Sequence, residues 1–277
     1  MSFAIDYLKQ LQAFAATSPL PRIRALHLPP QQELDNNRGE FCALELEDGS
    51  IGQSYVLFDD SLQHLRADAS RMGLAGADAL ELAQHYLSDS GPWQTLGFAA
   101  ANALTRCLMD RAGFRPDQSR DSIGQMQPQA GEHIGMIGFF KPLLGAILES
   151  GARLTVLELD PTLVTETDRY RVTLNPAELA DCSKVLSTST LLLNNSLDSM
   201  LATCRRAQWF AMVGPSAGCL PDGLFARGVT LQGGSWITDS AGFVDALRAG
   251  ESRSSFSAKF ALTLDNYPGF EALLQRL

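Results

Sequence analysis

Polar and apolar positions change period several times along this chain, and each change predicts an element. The opening MSFAIDYLKQLQAF spaces apolar side chains three or four apart, with Asp6 and Lys9 between them, which predicts an amphipathic helix. After Ser18-Pro19-Leu20-Pro21 the period drops to two. Arg22–Leu28 alternates as a half-buried strand and stops at Pro29-Pro30, and Phe41–Glu47 alternates again. Asp48-Gly49 is a hairpin turn signal, and 51–58 reads as the returning strand. Ala77–Leu87 and Thr95–Arg111 read as helices, the first stopped by Gly91-Pro92 and the second closed by Gly113. Small residues at Gly97, Ala99, Ala100, Ala101 and Ala103 would let another element approach the second helix closely.

From Arg115 to Gly131 no period is sustained, and this polar stretch is read as a linker. Beyond it strands and helices alternate. Strands are predicted at 133–137, 154–159, 184–188, 209–213 and 229–231, and helices at 142–150, 196–204, 239–249 and 270–276. Such alternation predicts right-handed crossovers and a mostly parallel sheet. The expected fold class is therefore α/β: a Rossmann-like sheet over 130–277 preceded by a small α+β unit over 1–118.

Composition narrows the functions. With 22 Lys and Arg against 31 Asp and Glu, the net charge of −9 disfavours nucleic acid and anionic membrane surfaces as partners. No apolar run is long enough for a membrane span, and the N-terminus does not read as a signal peptide. The five cysteines, Cys42, Cys107, Cys182, Cys204 and Cys219, form no CxxC, so free thiols in a reducing, cytoplasmic setting are expected. The histidines lack paired spacing, and no closed metal site is expected from this chain alone.

In an open α/β sheet, ligands bind beyond the carboxyl ends of the strands, so the strand-to-helix turns carry the candidate chemistry. The first turn, Gly135-Met136-Ile137-Gly138-Phe139-Phe140, stands where a nucleotide fingerprint would, but GxGxxG is absent. Bulky Phe139 and Phe140 would block a pyrophosphate. A classical dinucleotide is therefore disfavoured, and an adenosyl-type cofactor such as S-adenosylmethionine fits better. The alternative role for both rings is interface packing. Glu158, 20 residues after Gly138, is placed to accept ribose hydroxyls, and Asp160 adds a carboxylate unless it only caps its turn. Thr188, Ser189, Thr190, Asn194 and Asn195 cluster hydroxyls and amides at the third turn, more than helix capping requires. Gly214-Pro215-Ser216 leaves room at the fourth.

Together, Gly135–Phe140, Thr188–Asp198 and Gly214-Pro215-Ser216, with Pro221, Phe225, Gly228-Val229 and Gly234, resemble the C-terminal domain of the microbial family described as "putative heavy-metal chelation". Leu96–Leu104 is similar to that family's Gly-x-Ala-x-x-Asn-Ala helix. Ser189 departs from the pattern, standing where the family has glycine. The resemblance implies an enolase-N-terminal-like first domain, a Rossmann-like second domain and a ligand site between them. On that helix, Asn102 is expected to reach the cleft, or else to bond a nearby carbonyl. The function expected is binding of a small molecule, as an enzyme of metal-chelator metabolism or of heavy-metal handling. The alternative is non-catalytic sequestration of a metal or metal chelate. A homodimer is compatible with either.

Overall fold

The structure is a computed structural model that describes residues 2–30, 41–58, 60–69, 71–88, 91–118 and 124–277. Met1, and residues 119–123 of the linker reading, lie outside the described residues.

The amphipathic opening forms α1 (Phe3–Thr17), whose Phe3, Tyr7, Leu8, Leu11 and Phe14 are buried. The three alternating stretches form β1 (Ile23–His27), β2 (Phe41–Leu46) and β3 (Ile51–Tyr55), an antiparallel sheet in that order. Gly49 turns the hairpin with φ +86°, a conformation that glycine adopts without strain. Three helices follow: α2 (Ser61–Asp68), α3 (Ala79–Gln84) and α4 (Pro92–Arg111). α2 was not anticipated, and the predicted 77–87 helix ends in a 3-10 turn at His85–Leu87. α4 begins on Pro92, whose ring presets the first helical turn.

The C-terminal half supplies β4 (His133–Ile137), α5 (Leu144–Glu149), β5 (Arg153–Leu157), β6 (Thr165–Glu166), β7 (Tyr170–Thr173), β8 (Lys184–Thr188), α6 (Leu197–Thr203), β9 (Trp209–Val213), α7 (Asp222–Phe225), β10 (Leu231–Ile237), α8 (Ser240–Ala249), β11 (Ser257–Leu262) and α9 (Phe270–Leu274). These strands make one eight-stranded sheet ordered β11-β10-β9-β8-β4-β5-β7-β6. All neighbours pair in parallel except β10–β11 and β6–β7 at the two edges. The α/β fold with a mostly parallel sheet is as expected. The sequence reading missed β6, β7 and β11, and its strand at 229–231 meets the longer β10 only at Leu231.

Chain order reverses at β4. The chain steps outward through β5 to β7, then returns to lay β8 on the other side of β4. The gap between the β4 and β8 ends is therefore the switch point of the sheet, where a crevice opens.

One apolar core joins the two halves, running from Phe3, Leu11 and Phe98 to Val185, Phe210, Leu220 and Leu273. A second lies on the opposite face of the large sheet, where Ile134, Met136, Leu154, Val156 and Leu186 meet Ile147 of α5. The halves are also tied by polar contacts. Buried His27 of β1 has Nε2 2.9 Å from Glu45 and Nδ1 2.9 Å from Arg248 of α8. Because Arg248 can only donate, Nδ1 accepts and Nε2 carries the proton.

Burial lowers the imidazole pKa of His27, and burial together with Arg153 lowers that of His133. Between each lowered value and the ordinary value near about 6.5, the unfolded chain binds more protons, so stability rises with pH in that window. The urea midpoint is expected to fall as pH drops below about 6.5 and to level off above it. His27→Gln with His133→Gln should flatten that slope; an unchanged slope would refute the assignment.

Candidate active crevice at the sheet switch point

A cavity of about 460 Å³ opens where β4, β5 and β8 end against the small sheet. Its floor is Ile137, Gly138 and Leu157, the last residues of two neighbouring strands and the turn after the first. Gly138 takes φ +83°, and its N–H bonds the Leu157 carbonyl at 2.9 Å. A side chain there would be strained at that φ and would press on Thr188, 3.2 Å from the position of a Cβ, so the turn favours glycine.

One wall is polar. Glu158, Asp160, Thr188, Thr190 and Asn194 all line the cavity, joined by Ser196. Six of the residues singled out from the sequence, Gly138 among them, thus share one crevice although 56 positions separate the first from the last. Glu158 clamps two turns: Oε1 accepts the Phe139 N–H at 2.5 Å and Oε2 the Leu159 N–H at 3.1 Å. Asp160 Oδ1 accepts both the backbone N–H and the hydroxyl of Thr162, at 2.8 and 2.7 Å, and these bonds hold its carboxyl below the usual range. Thr188 Oγ1 caps the following 3-10 turn, and Asn194 Oδ1 accepts from the Ser196 backbone and hydroxyl. Capping is therefore real at these positions, and it fixes the orientation of side chains that also face the cavity.

The other wall is aromatic and comes from the small sheet. Register sets Phe41 opposite Tyr55, with ring centroids 5.6 Å apart, and Phe58 packs edge-on against Tyr55 at 5.0 Å. Sequence reasoning missed these three residues. Their signal was the aromatic side chains clustered at one end of a hairpin. It also missed Leu159 and Leu174, which line the cavity yet are 76% and 47% exposed, an apolar rim on the entrance.

The remaining candidates lie elsewhere. Gly135 sits inside β4 against Cys182 and Val185, where its lack of a side chain serves packing. Phe139 and Phe140 do not line the cavity; they pack on the second core, on the face of the large sheet away from the small unit, so neither the ligand contact nor the interface packing considered for them is what they do. Ser189 is buried beneath Gly214, its hydroxyl filling the space that the glycine leaves. Asn195, with φ +57°, lines a separate depression of about 230 Å³ beside the start of α1. Pro215 borders a void of about 30 Å³, and Ser216 is fully buried.

Asn102 borders that same small void and not the crevice. Its Nδ2 donates to the carbonyls of Gln53 and Ser216 at 2.9 and 3.1 Å, and its Oδ1 accepts the Tyr7 hydroxyl at 3.1 Å. It bonds nearby carbonyls, the second of the two roles considered for it.

A family profile described as "putative heavy-metal chelation" matches residues 121–265, and a second profile with the same description matches 39–105. The fold is similar to that of a protein of unknown function from Desulfitobacterium hafniense. That structure is 19% identical with a TM-score of 0.66, covering 94% of this chain and 99% of the other. A protein of unknown function from Pyrococcus horikoshii is 17% identical with a TM-score of 0.65, covering 95% of this chain and 100% of the other. No curated protein matches the chain. Among the described residues no helix is long and apolar enough to cross a membrane.

Proposed function

Because the chain belongs to the family described as "putative heavy-metal chelation", we propose that it is a small-molecule-binding protein of heavy-metal handling whose ligand occupies the crevice between residues 1–118 and 130–277. The observation that carries this reading is the crevice itself: about 460 Å³, at the switch point of the sheet, with an aromatic wall facing a wall of hydroxyls, amides and carboxylates. In its enzymatic form, the protein works on a metal-chelating molecule with an adenosyl-type cofactor at Glu158. The carboxylate oxygens of Glu158 hold backbone N–H groups, and each keeps a further lone pair for a ribose hydroxyl.

Calorimetry with S-adenosylmethionine and S-adenosylhomocysteine tests this form. Saturable binding is expected, weakened about tenfold or more in Glu158→Ala, the size of one or two lost charge-assisted hydrogen bonds. No heat with either compound removes the adenosyl cofactor.

One observation favours a second reading, non-catalytic sequestration. The crevice carboxylates are engaged by local N–H and hydroxyl donors, an arrangement suited to shaping a binding surface. Elemental analysis of the purified chain should then find metal, together with an organic ligand by mass spectrometry. A metal-free, ligand-free protein with no uptake on titration would eliminate it.

A further inference from the structure

The family's description directs attention to a heavy-metal ion, and the crevice side chains can be tested against one. Such ions take thiolate, imidazole or carboxylate ligands, commonly three or four together. Among the described residues no group of three His, Cys, Asp or Glu side chains is placed to hold a metal ion. All five cysteines are buried and none lines the crevice. Burial pushes the thiols of Cys42, Cys182 and Cys219 up to about 12 and that of Cys204 up to about 11, which makes the thiolate that ligates harder to form. The histidines are engaged elsewhere: His27 by Glu45 and Arg248, His133 by Thr155, His64 by the Asp60 carbonyl, and His85 against the Trp93 ring. The crevice carboxylates are two, Glu158 and Asp160, fewer than the three or four ligands such an ion commonly takes. These residues do not fit a bare heavy-metal ion.

They do fit an organic molecule. Tyr55 and its two ring neighbours offer apolar surface to a flat ring, and Thr188, Thr190 and Asn194 offer hydrogen bonds across from it. Among the described lining residues none is Lys, Arg or His, while two are acidic, so an anionic ligand would meet only like charge.

We infer that the crevice accepts a flat, aromatic organic chelator of neutral or positive charge, free or with its metal already enclosed, and that no protein side chain there ligates the metal. This rests on the crevice being the ligand site, as proposed above.

The full chain, dialysed free of metal, can be titrated calorimetrically with nickel chloride, phenanthroline, the nickel–phenanthroline complex and sulfonated phenanthroline. Phenanthroline and its nickel complex are expected to bind at one site, about tenfold more weakly in Tyr55→Ala and in Asn194→Ala. Nickel chloride should show no saturable binding that responds to crevice substitutions, and the sulfonated compound should bind more weakly than its parent. Circular dichroism and urea midpoints confirm that each variant is folded. Saturable nickel binding that disappears in Asp160→Asn or Glu158→Gln would overturn the inference and leave the crevice as the ligand site. Tighter binding of the sulfonated compound would overturn the charge assignment. If none of the four binds, or if binding is indifferent to Tyr55→Ala and Asn194→Ala, the ligand-site reading falls together with the inference.

Discussion

Gly52→Ala is expected to cost about 3 kcal/mol or more, or to abolish folding, although it adds a single methyl group. The reason is the approach of β3 to α4. A Cβ at Gly52 would overlap the Ala99 carbonyl and the Ala103 amide, and would lie 2.7 Å from the carbonyl carbon of Asn102. All three obstacles are backbone, so no rotamer change relieves the overlap; strand and helix would have to separate. Overpacking usually costs about 1–3 kcal/mol when side chains can adjust, and here they cannot. Gly49→Ala is the control. Gly49 lies in open space at φ +86°, so its replacement strains one turn and should cost only about 1 kcal/mol. Urea denaturation of both variants would measure the contrast, and equal midpoints would show that strand and helix can part at little cost.

That contact also shows how far the sequence could be read. The run of Gly97, Ala99, Ala100, Ala101 and Ala103 announces a helix built for close approach, and the structure brings β3 against Ala99 and Ala103 and the backbone of Tyr86 against Gly97. The centre of the parallel sheet was legible because its buried strands read as short apolar runs between helix caps, whereas β7, four residues long and only half buried, carries no such run. The antiparallel edge was not. β10 and β11 contain Gly233, Gly234, Ser235, Ser257 and Lys259, which suppress an apolar run, and their pairing depends on sheet context more than on local preference. β6 is two residues long and exposed, too short to carry a period.

The crevice divides in the same way. Its polar wall comes from turns directly after predicted strands, and the switch-point rule points there before any coordinates exist. Its aromatic wall comes from a hairpin about a hundred positions earlier in the chain, and no local pattern says which part of the large sheet that hairpin will face. The fourth turn misled for a related reason. Small residues at Gly214 read as room for a ligand, but that room is taken by Ser189, a neighbour in space from another turn.

Asn102→Leu should destabilise the chain by about 3–5 kcal/mol while leaving ligand affinity at the crevice unchanged in protein that is still folded. The side chain is 2% exposed and sits where α1, α4, β3 and the turn after β9 meet. Leucine preserves most of the volume but leaves the carbonyls of Gln53 and Ser216 without their donor, each buried unpaired acceptor costing about 1–3 kcal/mol. Tyr7 loses one partner and keeps Thr105 at 2.6 Å, so its share is smaller. Asn102→Asp sharpens the test. An ionised carboxylate would face two carbonyl oxygens with no proton to offer, whereas the protonated acid restores one donor. Burial and those carbonyls raise the folded-state pKa of the new carboxyl above its unfolded value, so the folded state binds the extra proton. The Asn102→Asp variant should therefore gain stability as pH falls from about 7 toward about 4, opposite in sign to the histidine effect described above. A variant as stable at neutral pH as at acid pH, or a crevice ligand lost in step with Asn102→Leu in folded protein, would return this amide to the binding site.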